Sequence, residues 1–192
     1  MINIAIFASG SGSNAENIAT YFKENKQVNV SLFLTNKADA FVVERAKKLG
    51  IAYKIFNKND FYQTNNVLNV LKDNKVDFVV LAGFLWLVPE SLMAAYPNKM
   101  VNIHPALLPA YGGKGMFGDH VHRAVVENGE KESGITIHYV NAEYDKGAII
   151  FQAKCSVEPT DTPEMVAEKV HALEYRYYPE VIERVLLEEQ LF

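Results

Sequence analysis

Short apolar runs alternate with helix-patterned segments along the first hundred residues, and this alternation restricts the chain to few folds. The runs suit strands that are buried on both faces of a parallel sheet, and they cover 2–8, 28–34, 51–56, 78–82 and 100–104. Apolar spacing predicts helices over 14–26, over 40–49, and from a cap at Asp60 to about residue 74. Since strands joined by helices form right-handed crossovers, the sheet should be mostly parallel.

The last third of the chain has a different pattern. The segments 134–140 and 148–155 alternate apolar and polar residues and predict an antiparallel strand pair. Pro163 suits the first turn of a final helix, which Pro179 should kink or break near Tyr178. We therefore predict one α/β domain over 1–192, with a Rossmann-like open, mostly parallel twisted sheet, helices on both faces and an antiparallel C-terminal strand pair. Ligands of such sheets bind beyond the carboxyl ends of the strands.

Composition limits the partners and the compartment. The formal net charge of −4 argues against nucleic acid as the main partner. No apolar run approaches the roughly 18 residues of a membrane span, so we expect no membrane association. The segment 1–8 lacks the basic region of a signal peptide, and we expect a cytoplasmic protein. A single cysteine, Cys155, excludes an internal disulfide.

A glycine-rich loop, Ser9-Gly10-Ser11-Gly12-Ser13-Asn14, joins the first strand to the first helix. Glycines allow a ligand to approach the backbone, and a helix start offers free N–H groups to an anion. The loop loosely meets the dinucleotide fingerprint, but no acidic residue ends the second strand, where one would hold a ribose. We expect a terminal monophosphate on Gly12, Ser13 and Asn14, and neither nicotinamide nor flavin. The alternative is a plain turn in which Ser13 or Asn14 caps the helix.

The fifth predicted strand ends in Val101-Asn102-Ile103-His104-Pro105. Side chains two apart on a strand point to the same face, so Asn102 and His104 should project side by side. An amide can stabilise an oxyanion, and an imidazole can move a proton near neutral pH. Either residue alone would more often be structural, but the pair indicates acyl-transfer chemistry.

Asp145 is the predicted third member of this site. It lies in a polar loop, 141–147, between the two last strands. A carboxylate beside an imidazole favours the charged form, so we expect Asp145 to raise the pKa of His104. Glu143 in the same loop is a rival carboxylate, and a turn residue before Gly147 is the structural alternative for Asp145.

Large apolar residues occupy a position after the fourth strand where a loop is expected, at 82–89. They could be packing residues. As a functional alternative, Leu85, Trp86, Leu87 and Val88 could form an apolar wall for a flat heterocycle, with backbone groups recognising its edge.

Five segments in this order resemble a known family: Gly12-Ser13-Asn14, residues 35–40, Leu81-Ala82-Gly83-Phe84, residues 102–109 and Tyr144-Asp145-Lys146-Gly147. Over essentially the whole chain the sequence is similar to folate-dependent phosphoribosylglycinamide formyltransferases. The asparagine, histidine and aspartate segments are common to folate formyltransferases, whereas the glycine-serine-asparagine loop is more specific to this family.

The resemblance implies transfer of a formyl group from 10-formyltetrahydrofolate, a co-substrate, to the amine of 5′-phosphoribosylglycinamide in purine biosynthesis. It implies catalytic roles for Asn102, His104 and Asp145, and small molecules as partners of a monomer or weak homodimer. No metal is required. The remaining implied site residues are Gly12, Ser13, Asn14 and Glu174 for the phosphoribosyl acceptor, and Leu85, Trp86, Leu87, Val88, Asn102 and Asn141 for folate. Residues 1–100 would form the acceptor-binding half, and 101–192 the catalytic and folate-binding half.

Some positions depart from the family pattern, and some alternatives stay open. Trp86 replaces a common arginine, Thr64 a basic residue that meets the folate tail, and His171 a glutamine beside the acceptor. His120 and His122 are interpreted as structural or rim residues. Methionyl-tRNA formyltransferase and formyltetrahydrofolate deformylase share the catalytic residues but normally carry a second domain, for which 192 residues leave no room. A non-catalytic nucleotide-binding module would explain the glycine loop but not the three catalytic candidates.

Overall fold

The computed structural model describes residues 1–188, and these contain one seven-stranded sheet in the order β3-β2-β1-β4-β5-β6-β7. The strands are β1 (Ile2–Phe7), β2 (Val28–Thr35), β3 (Ala52–Ile55), β4 (Phe78–Leu81), β5 (Met100–His104), β6 (Glu132–Tyr139) and β7 (Ile149–Ser156). Strands β1 to β5 pair in parallel, and β6 and β7 are antiparallel. The predicted mostly parallel sheet with an antiparallel C-terminal pair is confirmed.

Helices cover both faces of the sheet. They are α1 (Ser13–Tyr21), α2 (Val42–Leu49), α3 (Lys58–Tyr62), α4 (Asn66–Asp73), α5 (Glu90–Ala95), α6 (Asp119–Glu127) and α7 (Pro163–Glu188). Buried side chains of α1, α2, α6 and α7 form one core with the sheet, and those of α3, α4 and α5 form a second. Burying each large aliphatic or aromatic side chain stabilises the fold by about 1.5–3 kcal/mol, so both cores contribute to holding the helices against the sheet.

The predicted cap at Asp60 is wrong by one turn. Asn57 caps α3: its side chain accepts a hydrogen bond from the Asp60 N–H, and the Asp60 carboxylate accepts one from the Asn57 N–H. This reciprocal capping box makes Asp60 the third residue of the helix. The predicted single helix is also two helices, because the chain leaves helical geometry between α3 and α4.

The predicted break at Pro179 is also wrong, since α7 continues through it to Glu188. Proline has no N–H, so the carbonyl of Tyr175, four residues earlier, loses its helical donor. The Asn17 side chain of α1 donates to that carbonyl at 2.8 Å. The partner helix therefore supplies the hydrogen bond that proline removes, and the helix does not have to end.

The strand order reverses between β1 and β4, which creates a crevice at the carboxyl edge of the sheet. The glycine loop follows β1, the apolar segment 82–89 follows β4, and His104 ends β5. Tyr178 of α7 is fully buried below this edge, and its hydroxyl donates to the Leu81 carbonyl at 2.7 Å. The fold thus brings all three segments with predicted chemistry to one edge.

Candidate active site

Asn102 and His104 line the same cavity at the end of β5, as the period of a strand predicts. The cavity has a volume of about 330 Å³ and is closed on one side by the glycine-rich segment 113–117. The His104 side chain is buried, and its Nε2 lies 2.7 Å from the Tyr111 carbonyl oxygen. Since a carbonyl only accepts hydrogen bonds, this contact assigns a proton to Nε2.

Asp145 lies on the other side of the imidazole. Its Oδ2 is 3.5 Å from His104 Nδ1 and accepts the Gly113 N–H at 2.9 Å. Residue 145 has a φ of 56°, in the left-handed region that aspartate tolerates better than most residues. The rival Glu143 is exposed and paired with Lys146. The structure therefore favours Asp145 as the carboxylate partner.

Burial and Asp145 act in opposite directions on the pKa of His104. Burial lowers the pKa below its usual value, and this outweighs the opposing effects of Asp145 and the Tyr111 carbonyl. Asp145 therefore raises the pKa as predicted, but the desolvation of the buried cation has the larger effect, so the net change is a lowering. Burial also acts to raise the pKa of Asp145, but the hydrogen bonds and charges around its carboxylate, among them the Gly113 N–H and His104, hold it below its ordinary value.

His138 belongs to the same group of side chains, and the sequence reasoning missed it. It is buried on β6, directly opposite Asn102 in the antiparallel register. Its Nε2 is 3.1 Å from Asn102 Nδ2 and 3.7 Å from Asp145 Oδ1. The sequence did contain a signal for this residue: it is a histidine in β6, and β6 pairs with β5, the strand that carries Asn102 and His104.

The glycine loop forms a second cavity of about 320 Å³, lined by residues 9–14 and Lys37. Gly12, with a φ of 71°, precedes α1, and no side chain caps the helix. Ser13 and Asn14 are therefore not caps, and this part of the structural alternative is wrong. A Cβ added at Gly12 would lie 2.5 Å from the Val42 side chain, so only glycine fits there. The Ser13 N–H at the start of α1 donates to the Ser11 hydroxyl over a long distance of 3.4 Å, and both residues line this cavity.

Residues from α6 and α7 complete the second cavity. Glu174 is buried, and its carboxylate accepts a hydrogen bond from Asn14 Nδ2 at 2.9 Å. Burial raises the pKa of Glu174 above its usual range. Two buried atoms in this recess, Asn14 Oδ1 and His122 Nδ1, have no hydrogen-bond partner among the described residues. His122 is thus part of the recess, whereas His120 is exposed, contacts Phe117 and does not line the recess.

The apolar residues after β4 lie in different surroundings. Phe84 and Trp86 pack in an aromatic cluster with Phe56 and Phe61. Trp86, Leu87, Val88 and Asn141 line a narrow cleft beside Asn102, with a volume of only about 50 Å³. Leu85 instead lies between the first two cavities and lines both of them. These residues line cavities but do not all face one space, and a wall for a flat heterocycle stays a prediction.

Residues 1–188 contain neither a candidate metal site nor a candidate membrane-spanning helix. Within that range, no three or more His, Cys, Asp or Glu side chains are grouped so that they could hold a metal ion. No helix of the same range is long and apolar enough to cross a membrane.

Comparisons with known proteins identify the class that this fold and site define. Residues 2–182 match the family model described as formyl transferase. The chain is 38% identical over 193 residues to phosphoribosylglycinamide formyltransferase of Bacillus subtilis (strain 168), covering 97% of this chain and 95% of that protein. A crystal structure of phosphoribosylglycinamide formyltransferase from Bacillus halodurans superimposes with a TM-score of 0.86, at 39% identity and covering 97% and 96% of the two chains.

A chloroplastic phosphoribosylglycinamide formyltransferase of Arabidopsis thaliana is 43% identical over 185 residues. That match covers 93% of this chain but 63% of the plant protein, so the chain spans somewhat under two thirds of that relative. Together these similarities show that the chain belongs to the phosphoribosylglycinamide formyltransferase family.

Proposed function

We propose that this protein transfers the formyl group of 10-formyltetrahydrofolate to the amine of 5′-phosphoribosylglycinamide, as a step of purine biosynthesis. One observation carries the proposal: the cavity of Asn102, His104 and Asp145 adjoins the glycine-loop cavity. The two share Gly83, Leu85, Ile103 and Pro105 in their walls. A phosphorylated acceptor anchored on the glycine loop would therefore reach the catalytic side chains with its other end.

The acceptor phosphate would bind the N–H groups of Gly12, Ser13 and Asn14 at the start of α1, where the helix dipole favours an anion. Exposed Lys37 adds a positive charge at the mouth of the cavity. The ribose hydroxyls would then meet Glu174, which lies deeper in the same recess. The two unpartnered atoms of Asn14 and His122 are positioned for further polar contacts.

The folate co-substrate would lie against Leu85, Trp86, Leu87 and Val88, with Asn102 and Asn141 at its polar edge. The cleft beside Trp86 holds about 50 Å³, which is room for a few water molecules rather than a bicyclic ring. We therefore expect the loop 141–145 to move outward when the pterin binds. Such loop rearrangements on binding are common in enzymes.

Within the adjoining cavities, the substrate amine attacks the formyl carbon, negative charge develops on the formyl oxygen, and the bond to the folate nitrogen then breaks. Asn102 donates a hydrogen bond to that oxygen, a contribution of roughly 2.7–4 kcal/mol for one such donor. The His104 Nε2 proton is the second donor. It now faces the Tyr111 carbonyl, so the substrate oxygen has to displace the segment that begins at Tyr111.

Asp145 makes the charged form of His104 available at the moment it is needed. Burial disfavours that form in the ligand-free molecule, but a developing oxyanion adds a second negative partner beside Asp145. The proton lost by the attacking amine reaches the leaving folate nitrogen through His104 or a water molecule. A positioned acid–base group of this kind contributes about 10²–10⁴ in rate.

Several finer expectations belong to the same proposal. The chain uses no metal, nicotinamide or flavin, has only small-molecule partners, acts in the cytoplasm and is a monomer or weak homodimer. We also propose the division into an acceptor-binding half, 1–100, and a catalytic and folate-binding half, 101–192. Two sets of residues are exceptions to this division. Glu174 belongs to the second half but lines the acceptor cavity, and residues 85–88 belong to the first half but would contact the folate.

An absorbance assay tests the proposal. Purified protein is mixed with 10-formyltetrahydrofolate, or a stable deaza analogue, and 5′-phosphoribosylglycinamide, and folate release is followed. We expect turnover that requires both substrates. Turnover without the amine would instead indicate a formyltetrahydrofolate deformylase. Binding of the phosphoribosyl compound without turnover under any condition would indicate a nucleotide-binding module.

A further inference from the structure

His138 has no role in the steps above, yet it contacts two of the three catalytic side chains. It is 2% exposed, lies opposite Asn102 in the sheet register, and faces Asp145 across the loop. A buried imidazole in this position has to adopt a definite protonation state, because each nitrogen has a fixed neighbour.

The backbone determines which nitrogen carries the proton. His138 Nδ1 lies 2.8 Å from the carbonyl oxygen of Tyr139. A carbonyl accepts hydrogen bonds and cannot donate them, so Nδ1 must be the protonated nitrogen. In the neutral ring, Nε2 is then left with a lone pair and can only accept.

That lone pair determines the orientation of the Asn102 side chain. Asn102 Nδ2 is 3.1 Å from His138 Nε2, and an amide nitrogen donates. If Nε2 carried a proton, two donors would face each other, and the amide would have to turn over and present its oxygen to the ring. Neutral His138 therefore anchors the amide nitrogen and leaves its second N–H for a substrate oxygen.

Because neutral His138 has no proton on Nε2, it does not donate to Asp145, and the carboxylate can interact with His104 alone of the two rings. Asp145 lies between the two imidazoles, with Oδ2 at 3.5 Å from His104 Nδ1 and Oδ1 at 3.7 Å from His138 Nε2. A protonated Nε2 on His138 would compete for the carboxylate. Only glycine fits at 147 beside the ring, since a Cβ there would lie 1.6 Å from the Tyr139 oxygen that His138 Nδ1 faces.

We propose that His138 is a positioning residue: as a neutral imidazole with its proton on Nδ1, it holds the Asn102 amide as a hydrogen-bond donor toward the formyl oxygen and leaves Asp145 to His104. The kinetic part of this inference rests on the proposed function, whereas the tautomer and the amide orientation are properties of the protein alone.

The first experiment measures the tautomer. Protein with ¹⁵N-labelled histidine is examined at neutral pH by long-range ¹H–¹⁵N correlation spectroscopy, and the His138 signals are identified by their loss in His138→Gln. The chain has five histidines, so the assignment is tractable. We expect a protonated Nδ1 and an unprotonated Nε2. A proton on Nε2, in the other tautomer or in a cation, would overturn the inference.

The second experiment compares two variants in the formyl-transfer assay. His138→Leu removes the acceptor of the Asn102 amide, and we expect kcat to fall by about 10- to 100-fold, approaching the loss of one oxyanion donor, with both KM values within about threefold. The glutamine of His138→Gln can accept the same N–H through Oε1, and we expect it to recover most of kcat. His120→Gln, the same change at an exposed histidine of α6, is the matched control.

The outcomes separate the inference from the proposed function. Without formyl transfer by the wild-type protein, the proposed function fails, and the histidine spectrum still decides the tautomer. With an active wild-type protein, full kcat in His138→Leu, or a glutamine variant no better than leucine, overturns the positioning role. Thermal unfolding of each variant confirms that a lost kcat does not reflect a lost fold.

Discussion

The two adjoining cavities differ in how their polar groups are partnered. In the catalytic cavity, Asn102 contacts His138, His104 contacts the Tyr111 carbonyl, and Asp145 accepts the Gly113 N–H. In the acceptor cavity, Asn14 Oδ1 and His122 Nδ1 are buried with no partner within the described part of the chain. The catalytic groups are thus held before substrate binds, while the acceptor recess keeps polar atoms that a ligand could satisfy.

This difference separates two kinds of mutational effect. A buried polar atom without a partner costs about 1–3 kcal/mol, which a ligand recovers when it binds. Changes in the acceptor cavity should therefore act mainly on KM for the acceptor. Changes in the catalytic cavity should act mainly on kcat, because the interactions lost there are realised in the transition state.

Asp145→Asn should give the largest effect. Asparagine tolerates a positive φ, so the turn at 145 should persist while the charge beside His104 is lost. We expect kcat to fall by about 10²–10⁴, with KM for both substrates changed much less. Steady-state kinetics measure this, with Asp73→Asn at an exposed position of α4 as control. A near-normal kcat would contradict the role assigned to Asp145.

Gly12→Ala should raise the acceptor KM by at least about tenfold, since strain at such a backbone position costs of order 1–3 kcal/mol. Its Cβ would meet Val42 at 2.5 Å, and its φ of 71° disfavours alanine. Gly10→Ala is the matched control, because a Cβ there meets nothing within 4 Å. Titration with the acceptor at saturating folate measures both variants. Equal KM values in the two would show that the loop does not grip the phosphate closely.

Glu174→Gln should weaken acceptor binding and stabilise the fold. Loss of a hydrogen bond to a charged group predicts a KM about tenfold higher. Burial raises the folded-state pKa of Glu174, so its ionised form destabilises the folded protein. This penalty is absent at low pH and grows as pH rises from the unfolded pKa through the folded one.

Denaturant unfolding over a pH series measures the stability effect. The free energy of unfolding of Glu174→Gln should exceed that of the wild-type protein by an amount that grows with pH and then levels off. A difference that is constant with pH, or one that favours the wild type at neutral pH, would contradict the destabilising burial of the ionised Glu174 carboxylate.

Lys37→Met should have the smallest effect. The Lys37 side chain is exposed at the mouth of the acceptor cavity, where charge contacts contribute about 0.2–1 kcal/mol. We expect the acceptor KM to rise by about two- to fivefold at low salt and by less at high salt, because ions screen exposed charges. Exposed Lys72 of α4, changed in the same way, is the control. An effect of Lys37→Met on the acceptor KM that does not change with salt would contradict a role of Lys37 in phosphate recognition.

The sequence predicted the groups whose placement depends on local periodicity. The strand runs and the two-residue spacing of Asn102 and His104 place both side chains in one cavity, as the structure has them. Prediction from the sequence failed where a residue far along the chain determines the local structure. Asn17 of α1 satisfies the carbonyl that Pro179 leaves open, and no local pattern around Pro179 indicates this.

Local sequence patterns could not predict the electrostatics of the site for a similar reason. The sign of the pKa change at His104 depends on how deeply the ring is buried, which strand periodicity does not measure. The contact of His138 with Asn102 depends on the register between β5 and β6. The roles of the individual residues in catalysis and binding stay predictions that the variants above would test.

Tyr178 gives the crevice an additional property. Its hydroxyl donates to the Leu81 carbonyl at the end of β4 and lies 3.4 Å from the Val101 carbonyl of β5. One phenol of the last helix therefore contacts backbone carbonyls of two neighbouring strands at once. The segment 82–89 continues from β4, and β5 ends in His104. A single side chain far along the sequence thus fastens the last helix to both strands from which the predicted folate-binding and catalytic residues extend.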